Sequence, residues 1–223
     1  IGLAQYAAFF FPALNETAWN WGTIAPGVNS PVAWCNLLGV AVMGLVTFLA
    51  YRRIEVAGRL VVVLWVGMLA TVGWVIAVGL WHFDARLAFS FPEHAFDLTG
   101  ANAVGLGAAL AIAMYDFLGY YQVCYMGDEV ENPSRTIPRA ILISVLAITA
   151  IYLTMNISIL GVLPWREAQE SQHVASDMMQ RVLGSKAAGV VTLMIVWTAL
   201  ASTFAATLGY SRVPYASAKA GHF

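Results

Sequence analysis

The chain has 223 residues, of which 60% are hydrophobic and 10% are charged, and its mean hydropathy is +0.73. Because soluble domains carry about 25% charged residues, this composition excludes an ordinary water-soluble fold and indicates an integral membrane protein. The formal net charge of −1 gives no support for binding to nucleic acid, which would need clustered Lys and Arg.

Apolar runs long enough to cross a bilayer recur along the whole chain. They predict one membrane domain over 1–223, with the tail of an earlier span at 1–14 and complete spans at 33–51, 60–82, 102–130, 139–163 and 187–210. The polar stretch 164–186 is expected to be an external loop with one short amphipathic helix. Because Ile1 begins in mid-helix without a Met or a signal peptide, we expect a fragment whose start was lost.

Lys and Arg are distributed unequally between the two sides of these spans. One side carries Arg52, Arg53, Arg59, Arg135, Arg139, Arg212 and Lys219, and the other carries Arg86, Arg166, Arg181 and Lys186. Since cytoplasmic loops are enriched in these residues, we predict that the first side is cytoplasmic. The tryptophans Trp19, Trp21, Trp34, Trp81 and Trp165 would then lie at the outer boundary of the bilayer.

The span at 102–130 is too long for one straight helix. Its 29 residues would reach about 43 Å at about 1.5 Å each, whereas the hydrocarbon core of a bilayer is about 30 Å thick. A break near Gly119, in the polar stretch that begins at Asp116, would account for the excess. Non-helical backbone at membrane depth requires protein or a water-filled cavity to satisfy its polar groups, so this break is a candidate binding site.

The segment DEVENPSRTIPRAI at 128–141 resembles the EEVxNPxR-like loop of the amino acid–polyamine–organocation superfamily of transporters. The residues GRL at 58–60 and SRVPYASAKAGH at 211–222 keep that family's order and spacing, so the resemblance covers essentially the whole chain. It implies an all-α, inverted-repeat (5+5) carrier, of which this chain would supply the end of helix three through helix eight. The span at 102–130 would then be the broken sixth helix.

The same resemblance implies a function. A permease of this family, in the plasma membrane, would move an amino acid or a related amine by alternating access, as a symporter or an exchanger, without covalent chemistry. The lipid bilayer and protons would be its other partners. In such folds the substrate lies near the midplane between the first and sixth helices, so this chain would carry half of the site.

The family's motif positions identify candidate site residues in this chain. The unwound segment of the sixth helix aligns with Phe117, Leu118, Gly119 and Tyr120, and the aromatic gate over the substrate aligns with Tyr115. Asp116 departs from the family, which usually has a small or aromatic residue there. A carboxylate at this depth costs about 2.5–3.5 kcal/mol on insertion scales, so it should face a cavity or a partner. Its role as a proton carrier, an amine ligand or a structural hydrogen-bond acceptor stays open.

A second group of candidates concerns gating and coupling. Asp128 and Glu129 are expected either to pair with Arg135, with Arg139 or with the first helix as an inner gate, or to form a solvated helix end. Thr198 and Ser202 lie one turn apart, at the level where sodium-coupled relatives of the fold place hydroxyl ligands. Helical Ser and Thr nevertheless bond the i−4 carbonyl more often.

Arg59 lies at the predicted start of 60–82, where sodium-independent family members commonly carry a lysine. An arginine keeps its charge in proteins, because its pKa is about 12.5 or higher. We therefore expect either a fixed cation that links the first helix to Thr198 or Ser202, or an arginine that snorkels to the headgroup layer.

Two other classes of function compete with a carrier. A membrane enzyme would need a His or a second carboxylate facing Asp116, but His82, His94, His173 and His222 fall outside the spans or at their ends. No catalytic, metal-ligand or phosphate-loop pattern accompanies the acidic residues, and Cys35 and Cys124 are expected to be buried small side chains, so no enzyme activity, metal or cofactor is predicted. A non-transporting nutrient receptor on the same fold differs from a carrier only in flux.

Tyr152 and Asn156 share a helix face and are expected to form interhelical hydrogen bonds.

Overall fold

The computed structural model describes residues 2–25, 28–50, 54–92, 95, 97, 99–171 and 173–221, and it is mostly helical. Its helices are α1 Gly2–Ala7, α2 Trp34–Ala50, α3 Ile54–Trp81, α4 Ala85–Ala88, α5 Gly100–Asp116, α6 Pro133–Leu160, α7 Trp165–Glu170, α8 Val174–Leu183 and α9 Ser185–Lys219. Pro12–Asn15 and Tyr120–Glu129 are 3-10 helices, and we call the second of these the 3-10 segment. Four of the Arg and His residues named above lie outside the described residues. Arg52 and Arg53 belong to the predicted cytoplasmic side, and His94 and His222 bear on the membrane-enzyme hypothesis.

Four helical stretches among the described residues are long and apolar enough to cross a membrane: Gly58–Trp81, Asn102–Tyr125, Pro133–Leu160 and Ser185–Lys219. The 17 residues of α2 are apolar except for Asn36 and Thr47, and they would extend about 26 Å at about 1.5 Å per residue. The prediction of a helical membrane protein is therefore confirmed in its coarse form.

Three helices extend beyond the spans that hydropathy predicts. The helix α3 begins at Ile54 instead of 60, α6 begins at Pro133 instead of 139, and α9 continues to Lys219 instead of 210. Hydropathy marks only the part of a helix that lies in lipid, whereas the hydrogen-bonded backbone continues through polar residues. At Pro133 the missing N–H costs nothing, because the first turn of a helix has no partner for it.

The structure also contains an antiparallel hairpin of β1 Thr17–Ala25 and β2 Val28–Ala33 that the sequence analysis did not predict. Trp19 pairs with Val32, and the register shifts at several points along the two strands. Aromatic and β-branched residues favour strands, and the Pro-Gly dipeptide between the strands is a turn signal. Read as interfacial anchors alone, the tryptophans give no indication of the hairpin.

The polar stretch 164–186 contains two short helices, α7 and α8, where one was predicted. The side chains of Met178 and Met179 on α8 are completely buried in a cluster with Val75, Val162, Ala188 and Val191. Ser176 Oγ and Thr192 Oγ1 form a buried hydrogen bond of 2.8 Å between α8 and α9. The loop is therefore fixed on the ends of α3 and α9 by packing, since the half-exposed Glu167–Arg181 ion pair contributes little.

The helix α9 is the centre of the packing, and α3 runs antiparallel along it. Thr71 Oγ1 lies 3.4 Å from the carbonyl oxygen of Met194, and Trp197 Nε1 donates to the carbonyl oxygen of Leu64 at 3.4 Å. Val46, Leu64, Ala201 and Phe204 form a second buried cluster. This pairing aligns the middle of α3 with the middle of α9.

The helices α3 and α6 approach each other closely at Gly79. A Cβ atom on Gly79 would lie 2.8 Å from the Cβ of Ser158 and 2.9 Å from its carbonyl oxygen. Small residues allow such close approach of helix backbones in membranes. The position of α6 relative to α3 therefore depends on the absence of a side chain at residue 79.

Candidate functional site

The predicted span 102–130 is not one continuous α-helix in the structure. The α-helix α5 ends at Asp116, and Gly119 has φ 109° and ψ −17°, a left-handed conformation that favours glycine. The chain then continues from Tyr120 to Glu129 as a 3-10 segment and not as a second α-helix. Runs of 3-10 helix longer than three or four residues are uncommon, and a long one often marks a hinge.

A cavity of about 340 Å³ lies beside the break. Phe117, Leu118, Gly119, Tyr120 and Val123 form one wall. The opposite wall belongs to α6 and consists of Ala140, Ile141, Ser144, Val145 and Ile148. The structure therefore brings the four residues of the predicted unwound segment together around one space, which has mainly apolar side chains and the backbone of the break.

The ring of Tyr152 on α6 extends this contact between α6 and the break. It meets the ring of Phe117 edge-on, with 5.6 Å between the ring centroids. Asn156 Nδ2 donates to the carbonyl oxygen of Tyr152 at 2.8 Å, which corrects the expectation of an interhelical hydrogen bond for Asn156. The carbonyl one turn back is the nearest acceptor for a short side chain on a helix.

Tyr115 lies in the last turn of α5, and 74% of its surface is exposed. It is not among the residues that line the cavity, so its gating role stays a prediction. The side chains of Asp116, Asp128 and Glu129 lie outside the described part of the structure. Their proposed partners are therefore untested.

Arg59 is exposed and lies in the second turn of α3, because the helix begins at Ile54 and not at the predicted 60. Trp197 is next to Thr198 in the sequence and contacts Leu64. Leu64 is five residues after Arg59 on α3, which corresponds to about 7.5 Å along the helix axis. Thr198 Oγ1 donates to the carbonyl oxygen of Met194 at 3.0 Å, and Ser202 is exposed. The hydroxyl of Thr198 thus makes the intrahelical bond that is common for helical threonines.

The structure also places four tyrosines together that the sequence interpretation did not connect. Tyr121 OH on the 3-10 segment and Tyr210 OH on α9 are 3.0 Å apart. The ring of Tyr125 lies 6.0 Å from that of Tyr121 and 6.2 Å from that of Tyr210, and the ring of Tyr120 lies 5.6 Å from that of Tyr121. The spacing of Tyr121 and Tyr125 was a signal for a shared face, but nothing in the sequence indicates Tyr210 as their partner.

The cysteines correct another expectation, because Cys35 is half-buried and Cys124 is exposed. Among the described residues, no three His, Cys, Asp or Glu side chains converge as metal ligands would. The break and its cavity therefore offer backbone polar groups and apolar walls, which suit reversible, non-covalent binding.

Comparison with known proteins adds independent information. A family model described as amino acid permease matches residues 1–223. The chain is 22% identical over 214 residues to the serine/threonine exchanger SteT of Bacillus subtilis (strain 168), which covers 94% of this chain and 45% of that protein. It is 24% identical over 200 residues to the branched-chain amino acid permease BcaP of the same strain, covering 89% and 42%.

A human protein is also similar over part of the chain. The identity to the b(0,+)-type amino acid transporter 1 of Homo sapiens is 31% over 118 residues, which is 51% of this chain and 24% of that protein. The chain thus spans less than half the length of each of these three relatives.

Proposed function

The chain belongs to the amino acid permease family, and from this premise we propose that the full protein carries an amino acid or a related amine across the plasma membrane by alternating access. The observation that carries the proposal is the interrupted helix at Gly119, with a cavity beside it. The matched family and the similar proteins are permeases and transporters, not enzymes. The membrane-enzyme hypothesis is therefore set aside.

The break supplies binding groups from the backbone. The last carbonyls of a helix lack intrahelical partners and carry the negative end of the helix dipole, so the end of α5 suits a substrate amine. The first N–H groups of the 3-10 segment suit a carboxylate for the opposite reason. The apolar wall formed by Phe117, Val145 and Ile148 would contact the substrate side chain.

The side chains near the break have proposed roles in gating and coupling. Tyr115 would close the site from the outside, and Tyr120 would form part of its wall. Asp116 is the candidate proton carrier or amine ligand, and Asp128 and Glu129 would form the inner gate. In the inverted-repeat fold that the resemblance implies, the first broken helix would supply the other half of the site.

We expect saturable uptake of amino acids by the full-length protein in liposomes, and none by residues 1–223 alone. The reason is that the fold implied by the resemblance places the other half of the site on a first broken helix, and residues 1–223 match less than half the length of the relatives. Radiolabelled serine, threonine and branched-chain amino acids, which the names of the relatives suggest, would be assayed with and without sodium and proton gradients.

Empty liposomes and liposomes that contain heat-unfolded protein are the controls for leak. Saturable uptake by residues 1–223 would contradict the half-site proposal. Binding without flux by the full-length protein would favour a nutrient receptor over a carrier.

We further propose that Arg59 is a fixed cation in a sodium-independent carrier, linking the first helix to the region of Thr198 and Ser202. Replacing Arg59 with alanine is then expected to reduce uptake at least about tenfold while the protein still inserts in the membrane. A loss of about 1.4 kcal/mol or more, a typical value for one charged hydrogen bond, has this effect.

The control for Arg59 is Lys219→Ala, because Lys219 lies in the last turn of α9 and would have only a snorkelling role. Uptake is measured with sodium and with potassium at equal ionic strength. Sodium-driven uptake, or wild-type rates in Arg59→Ala, would exclude the fixed-cation role and favour a snorkelling arginine.

A further inference from the structure

The contact between the 3-10 segment and α9 differs from the other contacts of α9. The α3 and α8 helices meet α9 through completely buried side chains such as Val191, Met178 and Phe204. The described residues of the 3-10 segment include no buried one, and its partner Tyr210 is 45% exposed. Contacts that bury little apolar surface open at low cost in free energy.

The polar part of this contact is small. It contains the Tyr121–Tyr210 hydrogen bond of 3.0 Å and the side chain of Gln122, which lies against Gly209 and Tyr210. A neutral hydrogen bond contributes about 0.5–1.5 kcal/mol net, which corresponds to a factor of about 2 to 12 between attached and detached forms.

The packing beside the pair is also incomplete. A cavity of about 360 Å³ separates Cys124, Tyr125 and Gly127 on the 3-10 segment from Arg212, Val213, Ala216 and Ser217 on α9. This cavity lies towards the end of α9 that the distribution of Lys and Arg assigns to the cytoplasm. The contact thus combines one hydrogen bond with a weak, partly open interface.

We propose that the Tyr121–Tyr210 hydrogen bond positions the 3-10 segment on α9 in one state of the transport cycle and must break for substrate to pass on the cytoplasmic side. Tyr121 and Tyr210 are therefore positioning residues and do not themselves bind the substrate. The proposal rests on the proposed transport function and adds to it the contact that opens.

The structure provides a direct way to test this contact. A Cβ atom built on Gly209 would lie 3.7 Å from the Cβ of Gln122, and disulfides have Cβ–Cβ distances of about 3.5–4.5 Å. The double variant Gln122→Cys/Gly209→Cys, made in full-length protein with Cys124 and all other cysteines replaced by serine, should therefore cross-link on mild oxidation.

Oxidation of this double variant in liposomes is expected to stop uptake, and reduction with dithiothreitol is expected to restore it. Uptake that continues at an undiminished rate in fully cross-linked protein would overturn the proposal that the contact opens. The extent of cross-linking is measured by mass spectrometry on the same sample. The matched control is the cysteine-replaced parent without the pair, which oxidation should not affect.

The role of the hydrogen bond has its own readout, which does not require transport. Tyr121→Phe or Tyr210→Phe, added to the cysteine pair, should slow cross-linking at least about twofold, because the attached form loses population. The two changes together should have no larger effect than one, since both remove the same bond. Tyr215→Phe is the control, because Tyr215 is 67% exposed on the same helix.

Unchanged cross-linking rates in Tyr121→Phe and Tyr210→Phe would overturn the positioning role. If the full-length protein shows no uptake at all, the transport proposal fails, but the cross-linking rates still decide whether these tyrosines hold the 3-10 segment. The two proposals can therefore fail separately.

Discussion

Replacing Gly119 with valine is expected to reduce uptake by the full-length protein strongly while the protein still inserts in the membrane. Gly119 has φ 109°, a region that β-branched residues essentially never occupy. Holding valine there would cost about 1–3 kcal/mol. The backbone would relax instead and displace Phe117 and Tyr120, which lie on either side of it and line the cavity.

The expected loss is about fivefold to 160-fold in the rate of uptake, since each 1.36 kcal/mol corresponds to a factor of ten. The matched control is Gly73→Val in α3, because Gly73 is an exposed helical glycine with no neighbour within 4 Å of a new Cβ atom. Membrane insertion of both variants is checked by carbonate extraction. Wild-type uptake in Gly119→Val would show that the left-handed turn is not needed for transport.

The position of this break could be predicted from the sequence, but its form could not. The length of the apolar run required an interruption, and Gly119 was the residue best able to provide it. The ten-residue 3-10 geometry of Tyr120–Glu129 has no comparable local signal. The 3-10 segment contacts α6 and α9. Contacts between separate helices leave no local pattern in the sequence from which this geometry could be predicted.

The lack of a local sequence signal for tertiary structure also explains the other differences between prediction and structure. The hairpin of β1 and β2 could not be predicted because tryptophan is favoured both in strands and at the bilayer interface. The sequence around Trp19 fits either environment. The cavity wall on α6 and the partner Tyr210 on α9 lie 20 or more residues from the break. Periodicity identifies which residues share a face of one helix, but not which helix that face meets.

The site residues taken from the family resemblance have unequal structural support. Phe117, Leu118, Gly119 and Tyr120 line one cavity, as a shared binding role requires. Thr198 instead bonds its own helix. A hydroxyl that already donates to a carbonyl still has lone pairs for a cation, so this bond alone does not exclude coupling.

Replacing Gly79 with leucine is expected to destabilise the protein by forcing α3 and α6 apart. A Cβ atom at this position would lie 2.9 Å from the carbonyl oxygen of Ser158. That oxygen belongs to the backbone of α6 and cannot rotate away, so the two helices would have to separate. Insertion of a side chain into such a packed contact costs about 1–3 kcal/mol.

A second crowded glycine on α3, Gly67, distinguishes crowding against a backbone from crowding against a side chain. A Cβ atom on Gly67 would also meet a neighbour, Nε1 of Trp197, but that neighbour is a side chain, which can change its rotamer. We therefore expect Gly79→Leu to lower the thermal unfolding midpoint of the purified full-length protein more than Gly67→Ala does. Gly73→Leu, on the same helix as both and without crowding, should leave the midpoint unchanged.

The loss of stability at Gly79 should also reach the transport site. The α6 helix contacts α3 at Ser158 and forms the cavity wall with Ser144, Val145 and Ile148. If α6 moves as a rigid helix, its displacement at one end shifts this wall relative to the break at Gly119. Gly79→Leu should therefore lower the affinity for substrate even at temperatures where the protein stays folded. An unchanged KM, together with a lowered unfolding midpoint, would show that α6 bends between the two contacts and that the wall is positioned by the break alone.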